Sequence, residues 1–400
     1  MGHPSDDTPS TGAAERYRQQ TRRWIRAHAP AAPTGPEAWP APAAAHWERA
    51  LLDAGLICAD WPARYGGSGL GAPESLLLDE EFARAGLPRI RRGAGERVVG
   101  PVLLAHGTEE QKDRLLPRIV SGQDTYCVAF AEAGHGSDLA SVRTRGEVAE
   151  DGAGELRLTG RKSWVQGVER ADRALVLCRT DPAAPGTGGL TLVVVGLDPG
   201  NGVARRTVQL ADGGADCGEL EFDGARAPLS DIVGGPGGAG GGWPALVTAL
   251  AYERAGRAAS ADLGFQEEFW DLVREAGKTG AAQDPLVRDR LAWAYTRITA
   301  LRLYGRRAAT RGTPGADPAV AQLLSAEYRR RFGEIALDVT GAAGLVRPEG
   351  DGYPAGRWQH ALLAGRAETI RSGTGELLRD AVAERLLGLP EEPGAGPRAW

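Results

Sequence analysis

The sequence predicts an α+β fold in three successive parts: an N-terminal all-α domain, a middle β domain and a C-terminal four-helix bundle. Three observations carry this. Up to about residue 120, apolar residues recur at helical spacing. From Tyr126 to Phe222 they fall in short, often alternating runs between Gly, Pro and Asp clusters. From Pro244 to Leu389 the helical period returns in four long segments, the pattern of an antiparallel bundle. These changes of period place domains at 1–124, 125–233 and 234–400. No G-x-G-x-x-G follows a strand and opens a helix, which disfavours a doubly wound dinucleotide-binding domain.

The elements follow in order. Residues 1 to about 12 read as a frayed tail. Glu15 to Ala29 is a helix ended by Pro30, and a Pro/Ala spacer follows to Pro42. Ala43 to Ala54 is a second helix, stopped by Gly55. Leu56 to Trp61 is a short apolar run before the turn Tyr65-Gly66-Gly67. Pro73 to Ala85 has Leu76, Leu77, Glu80 and Phe82 in helical spacing, and Gly86 stops it. Val99 to Ala105 and Glu109 to Ser121 complete the first part, with Thr108 as N-cap and Gln111 closing a capping box. Strands are expected at Tyr126–Phe130, Glu155–Leu158, Ala174–Arg179, Leu190–Leu197 and Glu219–Phe222. The glycine-rich stretch 234–242 reads as a flexible linker into Trp243-Pro244, where proline suits a first helical turn. Bundle helices are expected over 244 to about 276, Pro285–Arg311, Pro318 to about Thr340, and Trp358–Leu387.

Composition narrows the function classes. With 42% hydrophobic and 25% charged residues, the 400-residue chain can bury a real core and is not a disordered protein. A net charge of −5 gives no electrostatic case for nucleic acid or an anionic membrane. Cys58, Cys127, Cys178 and Cys217 are widely spaced without a C-x-x-C, and the six histidines lack H-E-x-x-H. Neither a disulfide framework nor a metal site is expected. No apolar run approaches the ~20 residues of a membrane span, and the polar N-terminus lacks a signal-peptide core, so a cytoplasmic location is expected.

Two stretches carry the chemistry. Phe130 to Asp138 reads Phe-Ala-Glu-Ala-Gly-His-Gly-Ser-Asp, a polar turn between two glycines that lets a ligand approach the main chain. Lys162-Ser163-Trp164-Val165-Gln166-Gly167 sets one large flat ring in a polar, turn-like context. Together they suggest a loop-lined pocket for something planar and something polar.

These stretches resemble the acyl-CoA dehydrogenase flavoprotein family. The resemblance runs from about Trp47 to Pro390. Trp61-Pro62 with Tyr65-Gly66-Gly67 is similar to an early family motif. So is Gly100-Pro101 through His106-Gly107-Thr108-Glu109-Glu110-Gln111-Lys112 to Leu116-Pro117. Phe130–Asp138 resembles Phe-Ser-Glu-Pro-Gly-Ala-Gly-Ser-Asp, Lys162-x-Trp164 resembles the Lys-x-Trp signature, and Ile370–Leu377 occupies the final Glu-Gly-Thr region. The resemblance implies a middle domain that is β-barrel-like and FAD bound between it and the bundle. It also implies a homodimer or homotetramer. The implied reaction removes an α-proton and a β-hydride from an acyl thioester, on CoA or a carrier protein. Flavin N5 accepts the hydride and a 2-enoyl thioester forms. Electrons would pass on to a flavoprotein acceptor or O2.

The resemblance implies roles residue by residue. Branches of the family carry the base on either of two helices. At the terminal motif the Glu position holds Ser372, too weak a base alone. Glu253-Arg254 fits the other position, and Leu246, Ala249 and Leu250 put Glu253 on an apolar helix face. Loss of hydration there suits a carboxylate to base work. The competing reading is a surface pair between Glu253 and Arg257. Arg254 and Ser137 are implied substrate contacts, with backbone N–H groups near Ser372 holding the thioester carbonyl. Phe130, Ala131, Ser137, Trp164, Val165, Gln166, Thr374 and Glu376 are implied flavin contacts. Ala131 replaces a family hydroxyl, and Gln166 replaces a threonine. Arg274–Gln283 lacks the Arg-x-x-Phe-Gly that grips the flavin diphosphate from a neighbouring subunit. Thr340-Gly341-Ala342-Ala343-Gly344 is a reduced form of another glycine motif. Actinobacterial branches thin in this way, and some assemble two different subunits. A repurposed monooxygenase or redox-neutral enzyme of natural-product biosynthesis, or a degenerate subunit supporting an active partner, are the alternatives.

Overall fold

The structure, a computed structural model, describes residues 12–30, 39–149, 154–311, 316–346 and 356–391, with backbone alone at 256–263, 308–311 and 316–317. The tail, most of the Pro/Ala spacer, and the interruptions at 312–315 and 347–355 lie outside the described residues, as does the side chain of Arg257. The chain forms two compact units, one up to Arg91 and one from Arg92 onward apart from a short stretch at 309–312.

The first unit holds α1 (Gly12–His28), α2 (Ala41–Asp53) and α3 (Ala72–Arg84). Trp24, Trp47 and Phe82 pack their rings together, and the indole N–H of Trp47 donates to the carbonyl of Pro88 at 2.8 Å. Glu81 is buried and is satisfied by a two-bond clasp from Arg22, at 2.6 and 2.9 Å.

The second unit opens with a π-helical turn, Gly95–Val99, that runs into α4 (Gly100–His106). Next comes α5 (Glu109–Ser121), with the Thr108/Gln111 capping box formed as expected. The Gln111 amide also donates to the carbonyls of Ser230 and Ile232, which ties α5 to the end of the sheet.

The middle part is one curled sheet of seven strands: β1 (Tyr126–Ala129), β2 (Arg145–Val148), β3 (Glu155–Gln166), β4 (Arg173–Arg179), β5 (Leu190–Gly196), β6 (Val203–Val208) and β7 (Cys217–Pro228). Their order is β1-β4-β2-β3-β7-β6, with β5 on β4. The core lies on its apolar side chains, from Leu156 and Leu158 to Leu220 and Phe222. Sequence patterning misses β2 and β6 because their residues are largely exposed and polar, Arg-Gly-Glu-Val and Val-Ala-Arg-Arg-Thr-Val. It also stops β3 at Leu158, whereas the strand continues through polar residues to Gln166, with register shifts between Leu158 and Thr159 and between Lys162 and Val165. The four cysteines are buried and lie outside any disulfide.

The 234–242 stretch differs from a flexible linker. Val233 and Gly240 N–H groups bond β5 residues Leu192 and Thr191. A side chain on Gly238 would put its Cβ 2.1 Å from the Val233 carbonyl oxygen, and one on Gly242 would lie 2.7 Å from the Thr191 backbone. Glycine is there because two backbones touch.

The bundle comprises α6 (Gly242–Thr279), α7 (Pro285–Arg311), α8 (Ala316–Thr340) and α9 (Arg357–Ala367), then α10 (Gly375–Ala381) with a π-helical turn, Val382–Leu386. Phe265, Leu272, Leu291, Tyr328 and Phe332 belong to the core shared by α6, α7 and α8. The helix expected over 358–387 is broken. Residues 368–374 turn instead, with φ of 62° at Ser372 and 107° at Gly373, values that end a right-handed helix.

Candidate active site

Two clusters of expected site residues lie in the second unit, one on the sheet and one on the bundle. On the sheet, Glu132 and His135 exchange backbone bonds across a tight turn that Gly134 allows with φ of 85°. Ser163 N–H donates to the Ala131 carbonyl at 3.0 Å. Lys162 is fully buried, and its ammonium donates to the Phe130 carbonyl at 2.9 Å and to Glu132 at 2.8 Å. Glu132 also accepts from the N–H groups of Arg143 and Thr144 and from the Thr144 hydroxyl. Burial alone would raise the Glu132 pKa; the Lys162 charge and these donors outweigh it and hold the carboxyl below its ordinary range. This buried pair clamps the two signature stretches together. The sequence alone assigns neither residue a role; the one signal is an acidic and a basic residue inside the two signature stretches.

The clamp sits behind Trp164. That residue has φ of 59° and 67% exposure, an aromatic side chain turned outward at a strand irregularity. Trp164 and Ser372 are the non-glycine residues with positive φ among those described, and both are expected site residues. Strained backbone of this kind clusters at binding sites. Val165 packs in the sheet core, and the Phe130 side chain is buried. Ser137 and Gln166 are exposed.

On the bundle, Ser372 donates its hydroxyl to Glu253 at 2.6 Å. Arg254 is 7% exposed, and its Nε donates to the Ser372 carbonyl at 3.1 Å. Burial pulls the Arg254 pKa down, with the Glu253 charge opposing. Leu246, Ala249 and Leu250 are buried on the face that Glu253 shares. The Ser372 and Gly373 N–H groups have no acceptor among the described residues. Thr374 caps α10 through Leu377 N–H, and Glu376 lies in that first turn, its pKa lowered by hydrogen bonds from its own N–H and from Thr374. Arrangement and chemistry agree: one carboxylate held by a hydroxyl, beside two unused N–H donors that can stabilise an oxyanion.

A flat heterocycle fits the outward ring of Trp164. At the expected diphosphate end, Arg274 is paired with Asp271 and Lys278 with Glu275, so among the described residues 274–283 present no unpaired cation.

A helical start, a curled sheet and a helical bundle, in that order, define the acyl-CoA dehydrogenase class. The family's models match in chain order: N-terminal domain over 11–123, middle domain over 127–225 and C-terminal domain over 240–387. The chain is 37% identical over 350 residues to acyl-CoA dehydrogenase IpdE1 of Mycobacterium tuberculosis, covering 86% of this chain and 88% of that one. It is 30% identical over 347 residues to mitochondrial isovaleryl-CoA dehydrogenase of Pongo abelii, covering 83% and 78%. The solved structure titled Tcur3481-Tcur3483 steroid ACAD superposes with a TM-score of 0.78 at 31% identity, covering 97% of this chain and all of that one. The chain belongs to the acyl-CoA dehydrogenase family, whose members are FAD-dependent oxidoreductases acting on CH–CH bonds. Among the described residues no helix is long and apolar enough to cross a membrane.

Proposed function

We propose that the chain is an acyl thioester dehydrogenase in which Glu253 is the base that removes the α-proton. The observation that carries this is the Ser372–Glu253 hydrogen bond of 2.6 Å. It occupies the place where the family's terminal motif would put its own carboxylate. The Ser372 hydroxyl aims the Glu253 carboxylate, and Arg254 fixes the Ser372 carbonyl and with it the turn. The Ser372 and Gly373 N–H groups receive the thioester carbonyl oxygen and stabilise its charge as the α-proton leaves. Trp164 supplies the packing wall for FAD, with Phe130, Ala131, Val165 and Gln166 offering backbone or polar contacts. Bound FAD supplies the acceptor for the β-hydride. Thr374 and Glu376 hold the α10 end of the same site, and Ser137 lies by the thioester arm.

The steroid dehydrogenase named in the similar structure supports an acyl group built on a ring skeleton, carried by CoA. Its two-chain name, Tcur3481-Tcur3483, supports assembly with a second family subunit, which would supply the diphosphate contacts that 274–283 does not offer. The test is spectral. The FAD-loaded protein, alone or with that partner, is mixed anaerobically with a ring-bearing acyl-CoA. Bleaching of the flavin band is the expected outcome; an unchanged spectrum across ring-bearing and simple acyl-CoAs contradicts the assignment.

A further inference from the structure

β3 and β7 pair through two irregularities that differ in one residue type. At the first, Leu158 faces Ala225 and Thr159 faces Asp223, so Gly224 on β7 is the extra residue, with φ of 67°. At the second, Lys162 faces Leu220 and Val165 faces Gly218, so Ser163 and Trp164 on β3 oppose Glu219 alone, and Trp164 has φ of 59°. Both are β-bulges. Left-handed backbone at a bulge suits glycine, and the first bulge has it. Any other side chain crowds the carbonyl there, a bias of about tenfold against the conformation. The second bulge puts tryptophan in that place and leaves it exposed, so sheet packing does not explain the residue. Its neighbour adds a second cost. Ser163 is buried, and its hydroxyl has no hydrogen-bond partner among the described residues.

The bulge is held from its flanks. Leu156, Leu158 and Lys162 share the core face of β3 by alternation, which would turn the residue two beyond Lys162 inward as well. The extra residue lets Trp164 face out and returns Val165 to the core. Lys162 is the fixed point, bonded to the Phe130 carbonyl and to Glu132. Glu132 is fixed in turn by three donors from Arg143 and Thr144. A Cβ on Gly160, two residues before Lys162, would lie 2.8 Å from the Thr144 Cα, so the strand is pressed against this anchor. An ammonium without its carboxylate would leave the core for water. The bulge, with tryptophan in a conformation it disfavours, would then relax.

We propose that Lys162 and Glu132 are positioning residues for the flavin: the buried pair holds the bulge that turns the Trp164 ring outward to receive the heterocycle. The inference rests on the reading of Trp164 as the flavin wall and is independent of Glu253. Its test is FAD titration followed by flavin fluorescence, on the full chain alone or with the second family subunit. Glu132→Gln should weaken FAD binding about tenfold, the size of the strain that the pair opposes. It should also raise the fluorescence of the bound flavin, since an indole stacked on the ring quenches it. Trp164→Gly suits the left-handed backbone, so it should weaken FAD binding while the ligand-free protein keeps or gains Tm. In the Trp164→Gly background no strain is left to hold, and Glu132→Gln should change FAD affinity no further, although it still lowers Tm. Thr144→Val, which removes one donor to Glu132 and leaves the ion pair, is the milder variant should Glu132→Gln fail to fold; a loss of about threefold, again absent in Trp164→Gly, is expected. An equal loss of affinity in both backgrounds overturns the inference and makes the pair a stabilising contact only. FAD affinity untouched by Trp164→Gly overturns instead the reading of Trp164 as the flavin wall, and no FAD binding by the native chain in either form overturns both.

Discussion

Ser372 does at one position what its chemistry forbids it to do alone. Its hydroxyl is no base for a carbon acid, but at φ of 62° it reaches a carboxylate 119 residues away and orients it. A hydrogen bond to a charged group is worth about 1.5–3 kcal/mol, so Ser372→Ala should lower kcat on the order of 10- to 100-fold. Cysteine at 372, a weaker donor, should restore little of the loss, whereas Thr should restore much of it. Steady-state kinetics on the three variants checks this, and a pH profile unchanged in Ser372→Ala would argue against an orienting bond. Glu132 makes a second residue-scale prediction. Its carboxyl is held below the ordinary range in the folded chain. Its stabilising contribution is therefore full above the unfolded pKa of about 4.3 and lost as pH falls through the lower folded value. The Tm of the native protein should exceed that of Glu132→Gln at pH 7, and the gap should close in acid below about pH 4. A gap that widens in acid would contradict the clamp. Motif order made Glu253, Trp164 and Ser372 legible as separate candidates. The bonds among Glu253, Arg254 and Ser372 were not, because nothing local in a sequence records a contact of that separation.

At the element scale, breaks carry more of the site than regular segments do. Apolar periodicity runs on from α9 to the end of the bundle, so the sequence reads as one helix there. Ser372 and Gly373 override it with positive φ, and the turn they make delivers the hydroxyl and two free N–H groups. β3 behaves likewise: its irregularity between Lys162 and Val165 turns Trp164 outward while Lys162 goes inward. Strands that bury apolar residues were legible; β2 and β6 were not, since their exposed faces give no alternation to read. The glycine-rich entry to α6 was misread for the opposite reason, because composition says nothing of close packing. Its prediction is a paired one. Gly238→Ala forces a 2.1 Å approach to the Val233 carbonyl, and overpacking of that kind costs about 1–3 kcal/mol. Gly237→Ala, whose Cβ meets nothing within 4 Å, should leave Tm unchanged or slightly raised. Thermal unfolding of the two variants side by side distinguishes a packed hinge from a loose tether.

For the whole molecule, the three-part order was legible because hydrophobic period changes twice along the chain, and three matched domains follow the same order. What the chain does with that fold turns on where its base stands. A family whose branches place the carboxylate on either of two helices leaves one candidate here, on α6, with a serine at the other position. The measurement that tests this most directly is anaerobic single-turnover flavin reduction by an acyl-CoA in native protein and Glu253→Gln, with FAD content determined for each. Loss of a general base costs about 10²–10⁴-fold. The account predicts a fall of that size in Glu253→Gln with FAD fully retained. Reduction at near-native rate in Glu253→Gln would contradict it and send the search for the base elsewhere in the chain.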